Sequence, residues 1–141
     1  EIKEDPILKS SIETRKRTEQ GRKLLIDPHK TAFFFVTLPL ALPIAVIERF
    51  ISWVKAFNIP IGGVIVNEVI PKEDLDLASA SPYIVNKVKE QDRYVEMINS
   101  KFGGLVRAYI PLFEAEVAGL DMIAKVAESL AVDTVPQDIE P

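Results

Sequence analysis

The sequence contains no cysteine and only one histidine, His29. Without cysteine, disulfides, thiolate nucleophiles and thiolate metal ligands are excluded within this chain, and the composition agrees with a reducing, cytoplasmic compartment. His29 follows Asp27 and Pro28 at the predicted end of a helix, and a zinc site built there would have to draw its other ligands from carboxylates. We therefore interpret His29 as a turn residue and predict no metal site.

The sequence also lacks a basic region. It carries 17 Lys and Arg against 21 Asp and Glu, for a net charge of −4. The one basic cluster, Arg15-Lys16-Arg17, is diluted by Glu13 and Glu19, as on an ordinary solvated helix face. Because phosphate backbones require a basic surface, no nucleic-acid partner is predicted.

Long hydrophobic runs are equally scarce. Only residues 31–47 lack charge over 17 positions, which is the lower limit for a membrane span. Pro39 and Pro43 divide this stretch into an aromatic, β-branched segment and a following helix, so we reject a membrane span. At 141 residues, with 48% hydrophobic and 27% charged residues, the chain is expected to form one soluble globular domain.

What the sequence does contain is an alternation of apolar strands and helices. Strands are predicted at 33–38, 61–66 and 105–110, and helices at 1–26, 43–57, 83–102 and 120–130. This order predicts an α/β fold with three layers, in which helices flank a mostly parallel sheet. We expect the tail, residues 133–141, to be disordered, and residues 72–81 to form a loop.

Apolar residues recur at helical spacing in these segments, and we expect them to anchor the first helix and to pack the others on the sheet. They are Ile7, Leu8, Ile12, Leu24, Leu25 and Ile26 in the first helix; Ile44, Ile47, Phe50, Ile51, Val54 and Phe57 in the second; Ile84, Val88, Val95, Ile98 and Phe102 in the third; and Leu120, Ala124, Ala127 and Leu130 in the fourth.

The central predicted strand ends at Asn67. Its apolar run, Ile61–Val66, lacks polar alternation, which is typical of a strand covered on both faces. Ligands of open parallel sheets bind outside the carboxyl ends of the strands, where the Asn67 amide could donate and accept at once at the edge of a purine base. After the third strand, Pro111 and Leu112 begin an apolar loop suited to lining a flat ring. The alternative is that Asn67 only closes a turn and Pro111 only ends a strand.

Several motifs stand in a fixed order between residues 20 and 131. They are Asp27-Pro28 with Thr31-Ala-Phe, Ile47-Glu48-Arg49, Val64-Ile-Val-Asn67, Tyr94 to Ile98 with Phe102, and Ile110-Pro-Leu-Phe-Glu-Ala-Glu-Val-Ala-Gly119. Together they resemble the carboxyl-terminal part of the arsenite-translocating, anion-transporting ATPase family, which includes the ATPase that targets tail-anchored membrane proteins. The resemblance implies a P-loop NTPase fold of the SIMIBI-like type, with residues 1–132 as the carboxyl-terminal part of an ATPase domain.

The resemblance also implies a site and its partners. Asn67 would contact the adenine of ATP, and the loop that includes Pro111, Leu112, Phe113 and Glu116 would form the other wall of the base pocket. The parent protein would be a homodimer that uses ATP with Mg²⁺, and its partner would be a membrane transporter or a tail-anchored client.

No catalytic residue is predicted in this chain. In the resembling family the phosphate loop, the Mg²⁺-binding residues and the switch aspartate lie in the amino-terminal half, and no Gly-x-x-x-x-Gly-Lys-Ser/Thr pattern occurs here. Without these groups phosphoryl transfer has no electrostatic support, so we expect the chain alone not to hydrolyse ATP. The absence of an initiator Met also favours a piece of a longer protein.

Two departures from the family pattern bear on partners. Some members place a Cys-x-x-Cys pair, which bridges a dimer through zinc, where this chain has Ala78-Ser-Ala-Ser81. This difference speaks against a zinc-bridged dimer through this chain. Ala118 stands where members often have arginine, so a charge contact made there is lost.

The sequence leaves three functions open. The first is the adenine-side part of an anion-transporting or membrane-protein-targeting ATPase. The second is a fragment of a related partitioning or iron-protein-type ATPase; an upstream helical insertion would favour the first over it. The third is a non-catalytic interaction module that uses the first helix and the region of Trp53 and Phe57. A bound nucleotide would count against the module.

Overall fold

The computed structural model describes residues 6–72, 75–76 and 79–131. Its helices are α1 (Pro6–Leu25), α2 (Ala41–Ala56), α3 (Pro82–Phe102) and α4 (Gly119–Ala131), and its strands are β1 (Phe33–Thr37), β2 (Ile61–Val69) and β3 (Val106–Pro111). A short 3-10 helix, Gly103–Leu105, joins α3 to β3. The expected tail lies outside the described residues, and so do residues 73, 74, 77 and 78 of the expected loop.

The described residues form two compact units. One comprises residues 6–33 and 51–61, and the other comprises residues 34–50 and 62–131. None of the helices in the described ranges has the length and apolar character that crossing a membrane requires.

In the first unit, α1 ends where the sequence predicts. The Asp27 carboxylate accepts a hydrogen bond of 2.9 Å from the backbone N–H of His29, and the Thr31 hydroxyl donates one of 2.7 Å to the Leu24 carbonyl. His29 therefore lies in a turn, as predicted. The expected anchors of the first helix are wrong, because all six apolar residues predicted to anchor it are exposed, Ile7 by 76%.

The three strands form one parallel sheet in the order β1-β2-β3, with helices flanking it. The predicted α/β fold is thereby confirmed. Opposite each other on β2 and β3 stand Val64 and Val106, Ile65 and Ala108, Val66 and Tyr109, and Val69 and Pro111. Between the last two pairs β2 advances three residues while β3 advances two, so β2 carries a β-bulge at residues 67–68.

The buried apolar residues come from the sheet and from two helices. They are Phe35, Ile44, Ile47, Ile51, Val54, Val64, Val66, Val88, Tyr94, Ile98, Phe102, Val106, Ala108 and Ile110. Ile44, Ile47, Ile51 and Val54 confirm most of the predicted α2 stripe. Phe50 and Phe57 are exposed, and Phe57 lies beyond Ala56, where α2 ends.

The predicted stripe of α4 is wrong. No described residue of this helix is buried, and Leu120 and Leu130 are exposed. The half-buried side chains are instead Met122, Val126 and Ser129, which share a face at steps of four and three residues. Since α4 lies against β3, this mixed face packs there in place of the fully apolar one.

Candidate functional site

The bulge in β2 determines how Asn67 is presented. Asn67 and Glu68 lie between the paired residues Val66 and Val69 and have no register partner on β3. Glu68 has φ of 57°, in the left-handed region that non-glycine residues seldom adopt. Bulges of this kind redirect side chains and occur next to binding sites. Here the bulge takes Asn67 out of the regular ladder at the carboxyl end of the strand.

The Asn67 side chain is half-buried and makes no hydrogen bond to any side chain or backbone group within the described ranges. Its amide therefore keeps both its donor and its acceptor capacity for a ligand.

The loop after β3 faces this bulge. The backbone N–H of Leu112 donates a hydrogen bond of 2.8 Å to the Val69 carbonyl, which ties the start of the loop to the end of β2. Leu112 is exposed, Phe113 is half-buried, and Glu114 and Glu116 are exposed. The loop therefore presents apolar and acidic side chains next to Asn67.

A cavity of about 600 Å³ lies between these segments. The described residues that line it are Val36, Asn67, Glu68, Ile110, Pro111, Leu112, Phe113, Glu114, Ala115, Glu116, Val117 and Val126. All of the residues that we assigned to the base pocket from the sequence, namely Asn67, Pro111, Leu112, Phe113 and Glu116, are among them. The volume falls within the range of small-molecule and cofactor sites, about 300 to 1,000 Å³.

All charged side chains among the described residues that line this cavity are acidic. Glu68, Glu114 and Glu116 line it, and no Lys or Arg is found among its described lining residues. Carboxylates only accept hydrogen bonds at neutral pH, so they suit a ligand that offers N–H groups and disfavour an anion. The cavity can thus hold a neutral ring with an amino group, and its described lining residues offer no cation to a phosphate.

The structure adds lining residues that sequence reasoning missed. Val36 comes from β1 and Val126 from α4, and both reach the cavity because the sheet and α4 bring them there. Glu68 follows Asn67 directly, but only the bulge places both neighbours at the same cavity, where a regular strand would point them to opposite faces.

Gln91 of α3 is a second feature that sequence reasoning missed. Its side chain is 5% exposed and bonds both backbone groups of Ile70. Oε1 accepts from the Ile70 N–H at 2.7 Å, and Nε2 donates to the Ile70 carbonyl at 3.1 Å. A signal was available, because Gln91 fills the gap between Val88 and Val95 in an otherwise apolar helical stripe.

A smaller cavity of about 140 Å³ adjoins the first at the carboxyl ends of the strands. Glu68 and Leu112 line both cavities, whereas Gln91 lines the smaller one and not the larger. Within the described part of the chain, no group of three or more His, Asp or Glu side chains could hold a metal ion. The described residues thus offer no ready-made cluster of protein ligands for Mg²⁺.

Comparison with known proteins places the chain in a family. The family model described as anion-transporting ATPase matches residues 1–132. A protein of Aquifex aeolicus named "Putative arsenical pump-driving ATPase 1" is 30% identical over 117 residues, which are 83% of this chain and 29% of that protein. "ATPase GET3C" of Arabidopsis thaliana is 27% identical over 122 residues, or 85% of this chain and 30% of the relative.

A further relative is "ATPase ASNA1 homolog 2" of Paramecium tetraurelia, 29% identical over 131 residues, or 91% of this chain and 38% of that protein. The chain thus spans about a third of the length of each of these curated relatives. The α/β architecture agrees with the P-loop NTPase fold of the matched family. Since the family model covers nearly all of the sequence, the chain belongs to the anion-transporting ATPase family.

Proposed function

We propose that this chain is the adenine-binding, carboxyl-terminal part of a dimeric, cytoplasmic ATPase. One observation supports this assignment above the others: a half-buried asparagine amide without a partner in the described residues faces a cavity that the Pro111–Glu116 loop also lines. The asparagine and the loop are the two segments from which the family resemblance predicts the base pocket.

The chemistry of the cavity suits adenine. An asparagine amide pairs with adenine by accepting from the exocyclic amino group and donating to a ring nitrogen. Guanine has a carbonyl oxygen in place of that amino group, so an Asn67 amide held in this orientation would turn its own carbonyl oxygen toward it. Pro111, Leu112 and Phe113 supply the apolar surface against which a flat base packs.

The phosphates and the Mg²⁺ ion of ATP would be held by another part of the protein. The lining residues of the cavity that the structure describes include no cation, and the sequence contains no phosphate-loop pattern. The matched relatives are about three times as long as this chain, so their remaining residues have room for such a part. Bond breaking is therefore assigned to the parent protein, with ATP hydrolysis as its reaction.

The name of one relative states a use for that hydrolysis, and the family resemblance adds the targeting of tail-anchored membrane proteins. That relative is named as an arsenical pump-driving ATPase, and the others are named as GET3 and ASNA1 ATPases. We propose that the parent protein works as a homodimer, coupled either to a membrane transporter for an anion or to a tail-anchored client.

Nucleotide binding by the full-length parent protein tests the base assignment. Isothermal titration with ATP and with GTP would compare wild type with Asn67→Ala, and Asn86→Ala on the exposed surface of α3 would serve as a matched control. We expect Asn67→Ala to weaken ATP binding by about 1 to 3 kcal/mol, as for a lost buried polar contact, and to reduce the preference for ATP. Unchanged affinity and unchanged preference would contradict the assignment.

A further inference from the structure

We propose that Gln91 is a positioning residue for the base site, acting through Ile70 on the orientation of Asn67. This inference rests on the proposed function of Asn67 as the adenine contact. It extends that proposal to a residue of α3 that lines the adjoining cavity and is absent from the lining of the base cavity.

The contact between Gln91 and Ile70 replaces a missing strand partner. β2 ends at Val69, so the Ile70 N–H and C=O no longer take part in the sheet. The Gln91 side-chain amide accepts a hydrogen bond of 2.7 Å from the Ile70 N–H and donates one of 3.1 Å to the Ile70 carbonyl, as a neighbouring strand would. Since Gln91 is only 5% exposed, water cannot readily take over either bond.

The bulge is therefore held from two sides. On one side the Leu112 N–H binds the Val69 carbonyl at 2.8 Å, and on the other side Gln91 fixes Ile70. Between Val66 and these two anchors lie only Asn67 and Glu68. Glu68 adopts φ of 57°, which costs free energy that surrounding contacts must offset. Losing the Gln91 contact would let residues 67–70 relax toward a regular strand and turn the Asn67 amide.

The effect of a turned Asn67 amide on nucleotide binding differs from the effect of a general loss of stability. A loosened fold would weaken the binding of every nucleotide alike, whereas a turned Asn67 amide would lose the distinction between an amino group and a carbonyl oxygen. The ratio of ATP to GTP affinity therefore reports on positioning.

The test uses the full-length parent protein with Gln91→Met, which keeps the length and the buried apolar stem but removes both hydrogen bonds. We expect the ratio of ATP to GTP affinity to fall about five- to tenfold, with a smaller loss in affinity for GTP. Hydrogen exchange should show a loss of protection at the Ile70 amide. Gln91→Glu keeps the acceptor and lacks the donor; if the Met variant does not fold, it carries the test with the same expected fall in the ratio.

The control is Asn99→Ala, which removes another side-chain hydrogen bond between α3 and the sheet, the one from Tyr109. This variant should leave the ratio of ATP to GTP affinity unchanged. If Asn67→Ala alters the ratio and the Gln91 variants do not, the positioning role is overturned while the base assignment stands. If neither alters it, the base assignment itself fails. A fall caused equally by Asn99→Ala would reduce Gln91 to a structural role and overturn the proposal.

Discussion

The Tyr109 hydroxyl on β3 donates a hydrogen bond of 2.5 Å to the Asn99 side-chain carbonyl on α3. Burial raises the pKa of Tyr109, because the phenolate is poorly solvated there. The folded protein therefore holds the Tyr109 proton more tightly than the unfolded chain does.

This difference predicts a loss of stability at alkaline pH. A raised folded-state pKa contributes stability that is fully present below the unfolded value of about 10 and is lost as the pH rises through the folded-state value. Urea denaturation at pH 8 and at several values above 10 would measure it. Tyr109→Phe should unfold more easily at pH 8, by about 1 kcal/mol for the lost hydrogen bond, yet lose less stability on going to high pH. An equal alkaline decline in both proteins would contradict the explanation.

Gly63 lies where β2 approaches the residues that lead into β3. A Cβ added there would stand 2.8 Å from the Leu105 backbone oxygen and would also meet the stem of Arg107, whose Nε donates to the Gly62 carbonyl. Because a backbone carbonyl cannot move aside as a side chain can, we expect Gly63→Ala to destabilise the fold by about 1 to 3 kcal/mol.

The matched control for this substitution is Gly104→Ala. A Cβ at Gly104 would meet no atom within 4 Å among those described, so its free energy of unfolding should stay within about 0.5 kcal/mol of wild type. Thermal or urea denaturation of both variants measures the contrast. Equal stability of the two variants would show that the sheet tolerates the extra atom at Gly63.

The sequence predicts the order and type of the elements well, because strong apolar periodicity and proline positions determine them. The ends of β2 are less predictable, since Ile61–Val66 reads as the whole strand whereas pairing with β3 extends it to Val69. The bulge at Asn67 and Glu68 depends on register and on a left-handed backbone, which side-chain patterns do not reveal. Similarly, Leu120 and Leu130 are exposed because the geometry at β3, not hydrophobicity alone, decides which face of α4 packs.

The same limit applies to the candidate site. Asn67, Pro111 and Leu112 could be chosen from the predicted strand ends, which share an edge of the sheet, whereas Phe113 and Glu116 were implied by the family resemblance. Val126 could not, since nothing in the α4 pattern assigns it to a cavity. Gln91 could have been suspected as a polar residue in an apolar stripe, but its partner, the backbone of Ile70, is visible only in the fold.

The stability of the Asn67→Ala variant should show whether Asn67 serves ligand binding or closes a turn. The Asn67 side chain makes no hydrogen bond within the described residues, so its removal should change the free energy of unfolding by no more than about 0.5 kcal/mol in the absence of nucleotide. Gln91→Met, which leaves both Ile70 groups without partners, should cost about 1 to 3 kcal/mol in the same assay. If Asn67→Ala destabilises the protein as much as Gln91→Met does, Asn67 serves the turn, and the alternative raised by its sequence position is correct.

The isolated chain should bind the base of a nucleotide without turning ATP over. The cavity offers Asn67 and apolar walls to a base, while its charged lining residues in the described structure are all carboxylates. Adenosine and ATP should therefore bind the 141-residue chain with affinities within about threefold of each other, because the phosphates gain nothing from this surface.

Titration with both ligands, alongside a phosphate-release assay, measures the two expectations. Phosphate release above the blank that disappears in Asn67→Ala would show that this chain itself supports hydrolysis, and much tighter binding of ATP than of adenosine would show that it holds the phosphates. Either result would show that these residues do more in the parent protein than bind the base.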